Sequence, residues 1–398
     1  MSTPRVLVVS GTIPNEPGVG GVILEDLRKG LPEGTLGFYP AVSSAAQAGG
    51  WMDKTPPLIG QFARRYEPAY RPLKGIAGEW FAWLARKAKF ERHCQSAVNQ
   101  ICSDPAATNC ERVWAILDCP TAIEIAKPIA SKLGKPLSVL VWDAPELLSE
   151  QLRMDRWSIQ TMMSRFGETI RSAESVGVIC EQMEDAYQQR YGENDYIILR
   201  HGIDSELCFD PRSEIEQDRI TIGFAGSITA RQPFDRLIEL LDANEWRLAD
   251  REVTLRLIGS RYVLDSRKAQ HIEYYGWRSL KDTVKLLAEC TFSYLPQPFA
   301  ATLRPLAELS FPTKLTTYIA AGRRVLLHAP KYGSVTPFLK RHPIGVSCET
   351  LNLDDMHTSI EDLLCQPAEP LAEAILRCRA GEFSSDVFQS RFRTLARL

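Results

Sequence analysis

FPTKLTTYIAAGRRVLL, residues 311–327, reads as a short helix that runs straight into a buried strand. Thr313 is placed to cap a helix starting at Lys314, because a threonine hydroxyl at that position accepts from an amide of the first turn. Leu315, Tyr318 and Ile319 share one face of that helix, and Gly322 suits the left-handed residue that ends it. The strand at 324–327 follows at once. Such a helix turns the amides around Lys314 toward the space beyond the strand ends, where a diphosphate would be favoured.

Working outward, short apolar runs alternate with amphipathic stretches. Strands are expected at 220–225, 253–258, 271–275, 291–295 and 345–348, with helices at 233–241, 279–289 and 336–340 between them. An earlier series has strands at 6–9, 112–117, 137–142 and 175–180, with helices at 22–31, 122–133 and 182–191. Continuous apolar runs broken by helices imply parallel sheets covered on both faces. The polar stretch 204–218 separates the two series, so residues 1–204 form one expected domain and residues 219–383 another. Residues 384–398 carry Val387, Phe388, Phe392 and Leu395 at helical spacing and are expected to return to the first domain. The expected fold class is α/β, two Rossmann-like doubly wound domains facing a central cleft, with ligands outside the carboxyl ends of the strands.

A chain of 398 residues is long enough for two cores, and 44% apolar with 24% charged residues is ordinary for folded proteins. A net charge of -2 supplies no broad basic field, so nucleic acid is not an expected partner. The ten cysteines are scattered singly, without the close pairs of a zinc or redox site. The first residues hold too short an apolar run for a signal peptide, and no run reaches membrane-span length. A cytoplasmic protein is expected.

The loops after the strands hold the candidate chemistry. Gly226-Ser227 ends a buried strand, and Arg231 opens the next helix, a pattern that lets amides and a cation approach an anion. Asp118 and Asp143 each follow a strand and are placed either to bind sugar hydroxyls or to cap the next helix. No His-x-x-x-His or Asp-x-Asp pair suggests a metal, and no cofactor is expected. Arg231, Lys314 and helix N-termini would neutralise a leaving diphosphate instead.

The string 311–327 resembles the donor-side helix of the family 4 retaining glycosyltransferases, which have the GT-B fold. The likeness continues, in order, through IGFAGSITARQPFDRLIELL, VTLRLIGS and IEYYGWRSLKDTVKLLAECTFSYLPQP, and reaches back to SVGVICEQMEDAYQQRYGENDYIILRHGID. It implies sugar transfer from a nucleotide-diphosphate sugar to a hydroxyl acceptor, either a glycan or a lipid-linked saccharide. By position it implies Arg231, Lys314 and Asp118 as catalytic residues, and Asp143 on the acceptor side. It further implies Gly20, Gly21, Gly226, Ser227, Thr313, Leu315 and Thr317 around the donor, with Trp277 stacked on the base. Gly18, Gly20 and Gly21 resemble the loop that closes over the donor. One position departs from the family: Thr317 stands where a glutamate usually binds the donor ribose, and Glu308 lies near the family's other glutamate. That departure leaves a non-catalytic GT-B module, binding a glycan or a partner enzyme, as the alternative. A sugar-nucleotide epimerase would need more cleft histidines than His201 and its few companions.

Residues 61–92 hold eight basic against three acidic residues, interleaved with Phe62, Tyr66, Tyr70, Trp80, Phe81, Trp83 and Phe90. This composition suits a peripheral contact at the inner membrane face. It equally suits a helix whose aromatics enter the first domain.

Overall fold

The computed structural model describes residues 5–16, 18–43, 58–68, 76–211 and 218–398. The chain divides into two compact units, Met1–Leu199 with Gln389–Leu398, and Arg200–Phe388. The division falls just ahead of the linker start expected at 204, and the returning C-terminal segment begins at Gln389.

In the first unit the strands are β1 (Val6–Val9), β2 (Leu36–Phe38), β3 (Ala41–Val42), β4 (Phe62–Ala63), β5 (Arg112–Ile116), β6 (Leu137–Leu140), β7 (Ser175–Val178) and β8 (Tyr196–Ile198). Six of them form one parallel sheet in the order β2-β1-β5-β6-β7-β8, and β3 pairs with β4 apart from it. Every residue of β1, β6 and β7 is buried, which is why these strands read as unbroken apolar or small-residue runs. The helix Pro120–Leu133 begins with proline at its first position and ends on Gly134 at φ 64°. The returning segment packs Phe392 on Trp114, ring centroids 4.6 Å apart, and the Leu395 carbonyl accepts from the Ser175 hydroxyl at 2.7 Å.

The second unit holds β9 (Arg219–Gly226), β10 (Arg247–Leu248), β11 (Arg251–Gly259), β12 (Ile272–Gly276), β13 (Phe292–Pro296), β14 (Val325–His328) and β15 (Gly345–Cys348). Its parallel strands run in the order β12-β11-β9-β13-β14-β15, with β10 antiparallel on the β11 edge. Numbered along the chain, this is the doubly wound order 3-2-1-4-5-6, whose direction reverses between β9 and β13. Those two strands pair only through Phe292 with Ile222 and Ser293 with Gly223. At the end of β14 the fully buried His328 ties three elements together. Its Nε2 donates to the Thr350 carbonyl at 2.7 Å, so Nδ1 accepts from the Tyr294 hydroxyl at 2.8 Å. That hydroxyl also lies 2.9 Å from the Pro233 carbonyl, on the helix Arg231–Ala243.

Candidate functional site

Beside the second unit's reversal point, β9 and β11 have matching ends. Gly226 and Gly259 are register partners on β9 and β11, with φ of 91° and 132°. A Cβ on Gly259 would stand 2.5 Å from the Gly226 carbonyl oxygen, so only glycine permits this approach. Ser227 and Ser260 follow, their hydroxyls 3.3 Å apart. Lys314 closes the third side and donates to the Ser227 carbonyl at 2.7 Å, its ammonium 5.0 Å from the centre of the Phe224 ring. Burial lowers this ammonium from the usual lysine range to about 8. Tyr318, one turn along the helix Lys314–Ala320, holds that lysine in register. Its hydroxyl accepts from Ala225 N at 3.2 Å and donates to the Tyr294 carbonyl at 3.1 Å, bridging β9 and β13 where they separate. Two hydroxyls and a half-buried cation converge here, a group of donors suited to an anion.

Several sequence expectations change in detail. Thr313 precedes the helix but does not cap it: its backbone is already helical and its side chain accepts no bond from the first turn. The Leu315 amide donates to the Pro312 carbonyl at 3.0 Å and the Thr316 amide to Thr313 at 3.2 Å, so a tight turn occupies these donors. Leu315 itself is buried in the core, leaving neither its side chain nor its amide facing a ligand. Thr317 is half-buried on the same helix. Arg231 begins its helix, as its position suggests, but its guanidinium pairs with Asp235 at 2.8 Å and reaches the Val263 carbonyl at 3.4 Å. Trp277 is 68% exposed directly after Gly276, which has φ 66°. Gly259 and Ser260 were not singled out from sequence, although VTLRLIGS repeats the strand-Gly-Ser ending of IGFAGS and carries the signal.

In the first unit the reversal lies between β1 and β5, and Asp118 spans it. One carboxylate oxygen accepts from Gly11 N at 2.7 Å and the other from the Thr12 hydroxyl at 2.7 Å. Asp118 is therefore no helix cap; that position belongs to Cys119, whose sulfur accepts from Ala122 N. Burial raises the Asp118 pKa, while the bonds from Thr12 and Gly11 and the charge of Arg64 oppose the rise. Arg64 pairs with Glu67 at 2.8 Å, and Glu67 accepts from both the Thr121 amide and hydroxyl, at 3.1 Å and 2.6 Å. Gly20 and Gly21 lie within the helix Val19–Lys29 and not in a loop. A Cβ on Gly21 would come within 2.1 Å of the Glu16 carbonyl oxygen, and one on Gly20 within 2.8 Å of the Trp142 ring. Asp143 is exposed after β6. Replacing Asp118 with alanine strands two donors and is expected to cost about 1–3 kcal/mol in urea unfolding, with asparagine, which keeps one acceptor, costing less.

The basic aromatic stretch divides between core and surface. Phe62 and Phe90 are buried and Trp83 packs on Trp157, whereas Trp80 and Phe81 are 42% and 65% exposed. Tyr70, Arg71 and Lys74 lie outside the described residues. Among the described residues no helix is long and apolar enough to cross a membrane, and no cluster of three or more His, Cys, Asp or Glu side chains is placed to hold a metal.

No protein-family model matches the chain, and no curated protein does. Solved structures do. A sucrose-phosphate synthase from Thermosynechococcus elongatus superposes with a TM-score of 0.64 at 12% identity, covering 99% of this chain and 98% of that one. An α,α-trehalose-phosphate synthase (UDP-forming) from Burkholderia xenovorans, in complex with glucose-6-phosphate, gives 0.63 at 12% identity, covering 98% and 100%. A lipopolysaccharide outer core galactosyltransferase gives 0.62 at 12% identity, covering 99% of each chain. With two doubly wound parallel sheets and full-length likeness to these glycosyltransferases, the chain has the GT-B fold.

Proposed function

We propose that the chain is a glycosyltransferase of the family 4 type. It transfers a sugar from a nucleotide-diphosphate sugar to a hydroxyl acceptor with retention of configuration, using neither metal nor cofactor. The observation that carries this reading is the Lys314 ammonium bonded to the Ser227 carbonyl at the end of β9, where the Ser227 hydroxyl meets that of Ser260. Departure of a nucleoside diphosphate leaves negative charge on its terminal phosphate, and a partly desolvated cation stabilises that charge more than water does. Arg231 would add a second cation by leaving Asp235, an exposed pairing of little strength. Trp277 offers a free indole face for the base. The acceptor, a glycan or lipid-linked saccharide, would meet the first unit near the loop that Asp118 latches, with Asp143 on its approach. The work would take place in the cytoplasm, with residues 61–92 as the membrane-facing side.

A panel of UDP-, GDP-, ADP- and dTDP-sugars, screened by thermal shift with a chelator present, tests the reading. One donor should raise the melting temperature, and a panel with no shift and no hydrolysis would sink it. With that donor, Trp277→Ala is expected to weaken binding about 5–20-fold while leaving the apo melting temperature unchanged, because the indole is exposed. The second reading, a non-catalytic binding module, rests on Thr317 in place of the ribose-binding glutamate. Donor binding without turnover, in the presence of any glycan or lipid-linked acceptor, would favour it.

A further inference from the structure

The segment that carries the chain out of the first unit, beginning at Arg200, grips the helix Lys314–Ala320 at both ends. At the helix entrance the buried Arg200 lays its guanidinium over the Phe311 ring, 4.2 Å from its centre, and its Nη1 donates to the Glu382 carboxylate at 2.7 Å. Phe311 is held on its other sides by Phe338 and Phe383, ring centroids 5.3 Å and 6.2 Å away, and the Ser310 carbonyl before it accepts from the Ser334 hydroxyl. At the helix exit the Phe209 amide donates to the Ala320 carbonyl at 2.9 Å, and Arg379 donates to the Phe209 and Ile319 carbonyls at 2.6 Å and 3.1 Å. We infer that Arg200 is a positioning residue for the donor site, acting through Phe311 on the Lys314 ammonium; the inference rests on the transferase reading and adds to it a residue remote from the donor. Only Pro312 and Thr313 separate Phe311 from Lys314, and both supply carbonyls to the tight turn, so a shift of the ring passes on with little slack. The lysine has a narrow seat. Its ammonium lies between the Ser227 carbonyl and the Phe224 ring, and a Cβ on Gly226 would stand 2.9 Å from its Cε. A displacement of about 1 Å is enough to break such a fit. Arginine suits position 200 because a planar cation stacks on a ring and still turns its edge to a carboxylate, which a lysine ammonium does not.

Competitive acetylation of the protein's amines with acetic anhydride, read at Lys314 by peptide mass spectrometry across a pH series, titrates this ammonium without any donor. In wild-type protein the midpoint should lie at about 8, where burial places it. Arg200→Lys keeps the charge opposite Glu382, and Phe311→Leu removes the ring under the guanidinium. Each should raise the midpoint by at least about one pH unit toward the ordinary 10.5, as water reaches the amine. Urea unfolding establishes that the variants are folded, and either folded variant decides the matter. A midpoint shared by wild type and variant overturns the inference, even where the variant is less stable. The donor found by the thermal-shift panel gives a second readout. Arg200→Lys should weaken its binding about 3–30-fold in the wild-type background and leave that of Lys314→Met unchanged, whereas equal losses in both backgrounds overturn the inference. A panel without any binding donor counts against the transferase reading alone, and the Lys314 titration then decides the role of Arg200, so the two failures are distinguishable.

Discussion

Replacing Lys314 with methionine is expected to weaken nucleotide-diphosphate binding about 10–100-fold, the range of one charge-assisted bond to a phosphate. Stability should not fall with it. The ammonium is partly desolvated and lies against the Phe224 ring, so an apolar side chain of similar length removes a burial cost as well as a bond to Ser227. The wild-type pH dependence follows from the same lysine. With its pKa lowered to about 8, it is largely charged at neutral pH and loses its proton as pH rises through 8. An incoming diphosphate favours the charged form and pulls the pKa back up. Donor affinity should therefore decline above pH 8, and binding between pH 8 and 9 should take up protons. Calorimetry in buffers of different ionisation enthalpy reads that uptake directly. Affinity that is flat to pH 9.5, with no proton uptake, would show that the Lys314 ammonium keeps the ordinary lysine pKa in the free protein.

Acid should destabilise the second unit through His328. Burial lowers its pKa from 6.5 to about 4, and both ring nitrogens are bonded in the neutral form. The unfolded chain takes up a proton below pH 6.5 and the folded one only near pH 4. The contribution is thus complete above pH 6.5 and is lost as pH falls toward 4. A difference of this size corresponds to about 3 kcal/mol in full and about 2 kcal/mol by pH 5. Urea unfolding at pH 7.5 and 5.0 measures it against His328→Gln, which does not titrate. The variant should be the less stable protein at pH 7.5, and the gap should close at pH 5.0. A gap independent of pH would show that folding leaves the His328 pKa where it lies in the unfolded chain.

What could be read in the sequence depended on how local its cause was. The run Val6–Val9 and the strand Arg219–Gly226 are buried along nearly their whole length, so their composition alone identifies them. Leu36–Phe38 and Tyr196–Ile198 are three residues each and owe their strand form to neighbours, Leu36–Phe38 to β1 and Tyr196–Ile198 to β7. The helix Arg156–Ser172 was not anticipated, since polar residues interrupt its apolar face. The candidate site divides in the same way. Gly226, Ser227 and Lys314 were visible because a turn and a helix start mark them. The partnership of Gly259 with Gly226 depends on the register of two strands, and the hold of Asp118 on Gly11 and Thr12 joins residues more than 100 positions apart. Thr313 misled because Pro312 and Thr313 supply carbonyls to a tighter turn than an ordinary helix start, which takes up amides a cap would have served.

The return of Gln389–Leu398 to the first unit has a consequence for biosynthesis. The ribosome delivers Trp114 and Ser175 long before Phe392 and Leu395, their partners across the whole length of the second unit. The earlier-made half must wait with part of its apolar surface uncovered until residues 389–398 have followed the second unit out of the ribosome, while the later-made half is complete some ten residues sooner. Maturation of this chain thus runs against the order of its synthesis, and the emergence of Phe392 and Leu395 is the event that seals its first core.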